Sequence, residues 1–383
     1  MNKIFREIKQ AAANDGALKN KKCLVSDDIL VKGNIASAGS KMLFNHKATM
    51  NAKTVELIIE NGAQIIGSSN MSEFALFGAT SSIEPLHDIN QPHDVASDIA
   101  EDLADFALAS DATGQLRISA AKSNICAFRP TYGKVSRLGL ISGVPSMETI
   151  SIASKDIDLI ADVFKSINKY DVNDATSLTP EQRVAKDIDA KKVGLLREGL
   201  ECKHSEPVLR ACAQQIHALG YEVTGKSIQN MDIVDQITLI ISSAEFSSST
   251  ARYDGVRYGF RAEDYGDLND LYVKSRAAFG DSAKRMIIFG TLMQSERFYQ
   301  DYFVKATKMR QALAQEVDKF FEEFDLMLLP AGQGLYAKIA SLAGLPEVVI
   351  PVNGGSISLS AAKGNDEMLL KAAKRIMEEN KNA

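Results

Sequence analysis

Basic charge is in short supply: 44 Lys and Arg stand against 49 Asp and Glu, a formal net charge of −5 over 383 residues. That balance excludes a general affinity for nucleic acid or anionic lipid. The one early basic cluster, Lys19 to Lys22, is short and reads as a solvated loop. Cysteine is scarce too. Cys23, Cys126, Cys202 and Cys212 form no C-x-x-C pair and have no histidine at zinc spacing, so reduced, structural thiols of a cytoplasmic protein are expected. The five histidines, His46, His87, His93, His204 and His217, are scattered. No H-E-x-x-H, P-loop or G-x-G-x-x-G pattern occurs, so neither metal nor nucleotide nor other cofactor is expected. There is no run of about 18 apolar residues and no apolar N-terminal core of signal-peptide length, which argues against a membrane span.

What is present reads as a globular α/β chain, 45% hydrophobic and 24% charged. In AKTVELIIENGAQIIG, Val55, Ile58 and Ile59 recur at helical spacing, Gly62 suits a helix C-cap and AQIIG reads as a buried strand. DVASDIAEDLADFALA, residues 94–109, reads as one two-faced helix with Asp94 as N-cap, its acids Asp98, Glu101, Asp102 and Asp105 on a solvated face. Residues 123–142 read as a strand, a Pro-Thr-Tyr-Gly turn and a second extended run. Residues 155–167 and 206–220 read as helices, 190–198 and YEVTG as strands, and 235–324 as mainly helical. The chain then returns to α/β with FDLMLLP, a helix ending at Gly344, EVVIPV, SISLS and a terminal helix from about Asp366. The absence of a low-complexity linker favours a single domain over 1–383, with 1–21 as an N-terminal segment and 235–324 as a helical excursion.

Several stretches together resemble the amidase signature family, and within it the A subunits of glutamine-dependent tRNA amidotransferases. They are GAQIIGSSNMSEFA, FRPTYGKVSRLGL, SSAEFSSSTARYDGVRYGFRAEDY, GTLMQSERFYQDYFVKATKMR and SLAGLPEVVIPV. The resemblance implies an amidase-signature fold: a large mixed, twisted central sheet flanked by helices on both faces, here trimmed at its N-terminus and around the former active site. It also implies a mechanism. In the family a serine closing D-x-G-G-S-I-R attacks an amide carbon, a second serine in a Gly/Ser-rich loop relays the proton, and the lysine of K-D-N acts as base. A hydroxyl is a weak nucleophile until a neighbour takes its proton, and the resulting oxyanion needs backbone N–H donors at a glycine-rich turn.

Each of these positions departs from the family pattern. The lysine position holds Ser26 and the nucleophile position holds Gln115. In the former oxyanion turn Asp111, Gly114 and Arg117 are kept, but Thr113 replaces a glycine. The Gly/Ser loop is replaced by the shorter INQPHDVASDIAEDL. At the positions that bind glutamine in the family, the tyrosine is Thr238, the arginine is Met286, and the aspartate falls near Gly334. Arg to Met removes a bidentate carboxylate clamp. Ser110, Ser119, Ser123 and Lys122 are weak rescue candidates, and Cys126 a weaker one. The resemblance therefore implies a catalytically inactive relative acting by protein binding, to amidotransferase-like subunits or to a second copy. An amidase with reassigned residues and a small-molecule sensor using the emptied pocket are the alternatives. Asp111 and Arg117 read as a structural ion pair. The arginines and aromatics of RYDGVRYGFRAEDY read as a packing or subunit contact, with no direct nucleic-acid role expected.

Overall fold

The computed structural model describes residues 5–10, 14–76, 81–83, 94–183, 189–203 and 205–382. Strands β1 (Arg6–Gln10), β2 (Lys22–Ser26), β3 (Gln64–Ser69), β4 (Phe106–Asp111), β5 (Cys126–Arg129) and β6 (Thr149–Ser154) build one half of a sheet. The other half comprises β7 (Lys192–Leu196), β8 (Glu222–Lys226), β9 (Leu326–Pro330), β10 (Glu347–Val352) and β11 (Gly355–Ala361). The eleven strands run in the order β1-β3-β2-β4-β6-β5-β10-β11-β9-β7-β8. Pairing is parallel for β3-β2-β4 and for β9-β7-β8, and antiparallel elsewhere, so the sheet is mixed.

Helices cover both faces. In chain order they are α1 (Lys53–Glu60), α2 (Val95–Ala100), α3 (Gln115–Lys122), α4 (Ile157–Ile167), α5 (Glu206–Ala218) and α6 (Val234–Thr250). They continue with α7 (Leu268–Arg276), α8 (Asp281–Met293), α9 (Glu296–Phe298), α10 (Lys305–Glu323), α11 (Gly334–Ala343) and α12 (Asp366–Asn382). The central strands alternate between two cores. Phe106 and Leu108 of β4 join the apolar cluster of α1, α4, α5 and α12, while Ala107 and Ala109 face α2 and α3. In β9, Leu326 and Leu328 join the first cluster, and Met327 and Leu329 pack with α6, α10 and α11. Successive side chains of a strand point to opposite faces, so a strand covered on both sides is apolar throughout.

That rule explains one departure from the sequence reading. The helix expected over 94–109 ends at Ala100, Asp102 adopts a left-handed φ of 61°, and Phe106–Asp111 is a fully buried central strand. An unbroken apolar run carries no period, and FALA was absorbed into the preceding helical pattern. The acids divide as well: Glu101, Asp102 and Asp105 are exposed, but Asp98 is buried and receives a hydrogen bond from the Ser69 hydroxyl. The second extended run expected before residue 142 is irregular chain, and the next strand is β6. Asp94 does cap α2, its carboxylate accepting from the Ser97 N–H in a capping box. Gly62, Gly220 and Gly344 end their helices at φ of 98°, 91° and 71°, as the sequence leads one to expect.

α6 and α8 cross at backbone contact. A Cβ placed on Gly290 would lie 1.9 Å from the Ser243 carbonyl oxygen, with backbone on both sides and no flexible group to yield. Gly290→Ala is expected to lose about 1–3 kcal/mol by overpacking, read from the urea midpoint against wild type. An unchanged midpoint would mean that the two helices slide apart at no cost.

Candidate functional site

The parallel strands β2, β3 and β4 end on one edge of the sheet, and their last residues gather hydroxyls and carboxylates there. Open α/β sheets hold ligands beyond the carboxyl ends of their strands. Ser26 closes β2 and lies beside Ser110 of β4, whose backbone N–H donates to the Ser26 hydroxyl at 3.3 Å. Both hydroxyls donate to the carboxylate of Asp28, one to each oxygen. Asp28 is fully buried, and that burial pushes its carboxyl up to about 7 against the two hydroxyl donors, with the Glu148 charge adding to the rise. The neighbouring Asp27 is bound by Arg6, by the Ser37 hydroxyl and by Ser68 Oγ at 3.2 Å. Burial raises its carboxyl as well, against the Arg6 charge.

One strand along, β4 runs into the turn Asp111-Ala112-Thr113-Gly114 and then into α3. Gly114 sits at φ of 101°, and a Cβ there would meet the Ala337 Cβ at 2.5 Å, because α11 packs directly on the turn. Gln115 folds back over this turn. Its Oε1 accepts the Thr113 N–H at 3.1 Å, and its Nε2 donates to Thr113 Oγ1 at 2.9 Å and to the Ala75 carbonyl. The Gly114 N–H donates to Asp111 Oδ1 at 2.7 Å. Two backbone donors of the kind that steady an oxyanion are thus occupied by side chains of the same chain.

Beneath the turn lies a buried ionic network. Arg117 Nε donates to Asp111 Oδ2 at 2.8 Å, Nη1 to Glu347 Oε2 and to the Ala337 carbonyl at 2.7 Å each, and Nη2 to Ser341 Oγ at 2.9 Å. Arg129 donates to the carbonyls of Asp111 and Met147. Burial alone would raise the Asp111 carboxyl. The Arg117 charge and hydrogen bond, with the Arg129 charge, outweigh it and hold the group below the usual carboxylate range. Arg129, desolvated and facing Arg117, is lowered to about 10. This arrangement is the ion pair that the sequence suggested, enlarged by Glu347 from β10.

The remaining sequence candidates fall in different places. The Thr238 hydroxyl is spent on the Val234 carbonyl of α6 at 2.7 Å. Met286 of α8 packs against a small apolar cluster that includes Phe74, Phe246 and Phe279. Gly334 opens α11, the helix that covers the Gly114 turn. Ser119 donates to Asp94. Lys122 is exposed at the far end of α3 and Ser123 is its C-cap, so the structure brings neither to the turn. Cys126 is buried in β5, its sulfur 3.5 Å from Met377 Sδ. Residues 84–93, including His87, His93 and the start of INQPHDVASDIAEDL, lie outside the described residues, as does His204. Among the described residues, no group of three or more His, Cys, Asp or Glu could hold a metal ion, and no helix is long and apolar enough to cross a membrane. Sequence reasoning missed Asp28, Glu148 and Glu347. Asp28 stands in the SDD triplet and was within reach, whereas Glu347 meets Arg117 across 230 residues.

A mixed sheet sandwiched by helices, with a strand–turn–helix at its polar edge and a buried Asp–Arg pair beneath, defines an α/β protein of the amidase type. The amidase family model matches residues 3–353, and the chain belongs to that family. It is similar to the A subunits of the glutamyl-tRNA(Gln) amidotransferases from Streptococcus suis strain 05ZYH33 and Helicobacter pylori strain P12. Identity to the first is 34%, over 80% of this chain and 67% of that one. Identity to the second is 32%, over 95% and 89%. Among solved structures, the corresponding glutamyl-tRNA(Gln) amidotransferase component from Thermotoga maritima superposes with a TM-score of 0.77 at 23% identity, covering 98% of this chain and 88% of that one. The native peptide amidase of Stenotrophomonas maltophilia gives 0.75 at 20% identity, covering 96% and 84%.

Proposed function

We propose that this amidase-family chain does not hydrolyse amides and acts by binding another protein, either amidotransferase-like subunits or a second copy of itself, in the cytoplasm. One observation carries the reading. Gln115 lies where the resemblance puts the nucleophile, and its amide is folded onto the Thr113 N–H and hydroxyl, filling the turn from within. An amide cannot attack a carbonyl, and an occupied N–H cannot receive an oxyanion. Two further observations support it. The lysine position, Ser26, is a donor to Asp28 and not a base, and Lys134, buried among the described residues, is held by Asp366 at 3.2 Å and by the Gly364 carbonyl at 2.9 Å. The amidotransferase relatives are, by name, components of larger assemblies, which favours a protein partner.

A second reading rests on Ser110. Its hydroxyl donates to Asp28, whose carboxyl near 7 suits a general base, so this pair has the form of a nucleophile with its base. Against it, Ser26 competes for the same carboxylate, and the nearby turn offers its N–H groups to Asp111 and Gln115.

Ammonia release from glutamine, asparagine and aryl amides at high protein concentration separates the two. No release above the blank is expected. Turnover that survives Gln115→Ala but disappears in Ser110→Ala would overturn the inactive reading and place the chemistry on Ser110.

A further inference from the structure

We propose that the groove between residues 42–46 and 252–263 docks an acidic, aromatic-bearing peptide segment of a partner protein; this deepens the binding role proposed above and rests on it. The groove has a volume of about 800 Å³ and lies along the stretch RYDGVRYGFRAEDY, which takes no part in the site described above.

Its walls are fixed in advance. The Gly255 N–H donates to the Tyr258 carbonyl at 3.1 Å and the Phe260 N–H to the Met42 carbonyl at 2.7 Å, tying the hairpin to the 42–46 segment. Gly259, at φ of 84°, lets the two segments close: a Cβ there would lie 2.5 Å from Met42 Sδ. Tyr253 stacks on Phe74 of the interior at 5.8 Å, and Phe44 meets Phe260 at 6.1 Å. A preformed groove spares a ligand the cost of ordering it.

The lining is net basic, although Asp254 and Asp264 bring the whole stretch 252–265 to zero charge. Arg252, Arg257 and Arg261 line the groove with one acid, Glu263, in a chain whose net charge is −5. Arg252 Nε is held by the Ser249 carbonyl at 2.9 Å, and Arg261 by Tyr265 Oη at 2.8 Å, which orients both without neutralising them. The Arg257 guanidinium makes no hydrogen bond or ion pair among the described residues. Asp254, inside the hairpin, turns to the N–H groups of Val256 at 2.8 Å and Arg257 at 3.4 Å. His46 completes the polar lining.

Beside these arginines stand exposed apolar groups: Phe44 is 41% exposed, Val256 47% and Tyr258 58%. Arginine and tyrosine around an apolar centre are the composition of a protein-recognition patch. The arginines are exposed on the rim, unlike the enclosed forks that grip a free phosphate, so affinity must come from several carboxylates together with an apolar anchor. A nucleic-acid backbone would bring many more charges against an overall acidic chain.

The test is fluorescence anisotropy with a fluorescein-labelled peptide Glu-Asp-Phe-Glu-Leu-Asp, beside a version with lysine at each acid, a uridine oligonucleotide, and inorganic phosphate as competitor. Saturable binding of the acidic peptide is expected, weakened about tenfold or more by Arg252→Glu with Arg257→Glu, and falling steadily as salt rises. Tyr258→Ser is expected to weaken it several-fold, with circular dichroism unchanged in both variants. Absence of binding at about 1 mM peptide, or equal affinity in the charge-reversed variant, would overturn the proposal. Tighter binding of the oligonucleotide through the same arginines would overturn it in favour of nucleic acid. Ammonia release is measured separately, so a chain that binds the peptide and also hydrolyses amides sinks the inactive reading and leaves the groove standing.

Discussion

Arg117→Ala is expected to lower the unfolding free energy by about 3–5 kcal/mol, the cost of leaving buried charges without their partner. The guanidinium serves two buried carboxylates, Asp111 and Glu347, and two acceptors on α11, the Ala337 carbonyl and the Ser341 hydroxyl. Removing it strands both carboxylates in a site closed to water and unties β4, α3, α11 and β10 from one another. Arg117→Lys keeps the charge but offers a single ammonium where a planar fork now bridges several acceptors, so it is expected to recover less than half of the loss. Urea unfolding followed by circular dichroism reads both variants. If the alanine variant fails to fold, the lysine variant carries the test. A loss below about 1 kcal/mol in each would show that the network contributes no more than a surface pair.

The network does not depend on the side chain that stands at position 115. Asp111 and Arg117 brace the strand–turn–helix whether or not chemistry happens above it, since Arg117 points into the protein and towards α11 and β10. Gln115 is placed by the same turn but points back at Thr113 and Ala75. A turn so braced is expected to keep its shape whichever side chain stands at position 115.

Much of this was legible in the sequence because it depends on local physics. Gly62, Gly220 and Gly344 mark helix ends where a positive φ is required, and EVVIPV, SISLS and FDLMLLP are strands whose apolar content follows from burial. FALAS was not legible as a strand, because a strand covered on both faces has no alternation and its neighbour on the amino side has a helical period. The site divides in the same way. Ser26, Thr113 and Gln115 stand in or beside recognisable stretches, so their positions could be named from the sequence. The Asp28 cluster could not, because Ser110 reaches Asp28 across 82 residues, by way of parallel pairing that only the fold supplies. Asp98 was misplaced on a solvated face because Ser69, its donor, comes from β3.

Asp28→Asn is expected to stabilise the protein by about 2–4 kcal/mol at pH 8 and hardly at all at pH 4, since each unit of pKa corresponds to about 1.4 kcal/mol. The sign follows from the direction of the perturbation. In the folded chain the Asp28 carboxyl titrates near 7, and in the unfolded chain near an ordinary aspartate's value of about 3.9. Between those values the folded state holds a proton that the unfolded state does not, so its stability contribution is complete at low pH and is lost as pH rises through 7. Asparagine never ionises, so that loss is absent. Its amide still meets both neighbours: one hydroxyl donates to the oxygen, and the other turns to accept from the nitrogen. Glu148 and Asp27 are also raised by burial and stay in place, so the variant keeps part of the wild-type pH slope and loses at most one proton's worth. Urea unfolding at pH 4.5, 6 and 8 measures the difference. A constant gap across the three would detach Asp28 from the pH dependence. A variant less stable than wild type at pH 8 would mean that the hydroxyls of Ser26 and Ser110 hold the carboxylate ionised, and the base required by the Ser110 reading would then be too weak to serve. Aspartate at 28 is then a cost that the chain carries at neutral pH, and the hydroxyls of Ser26 and Ser110 are what offset part of it.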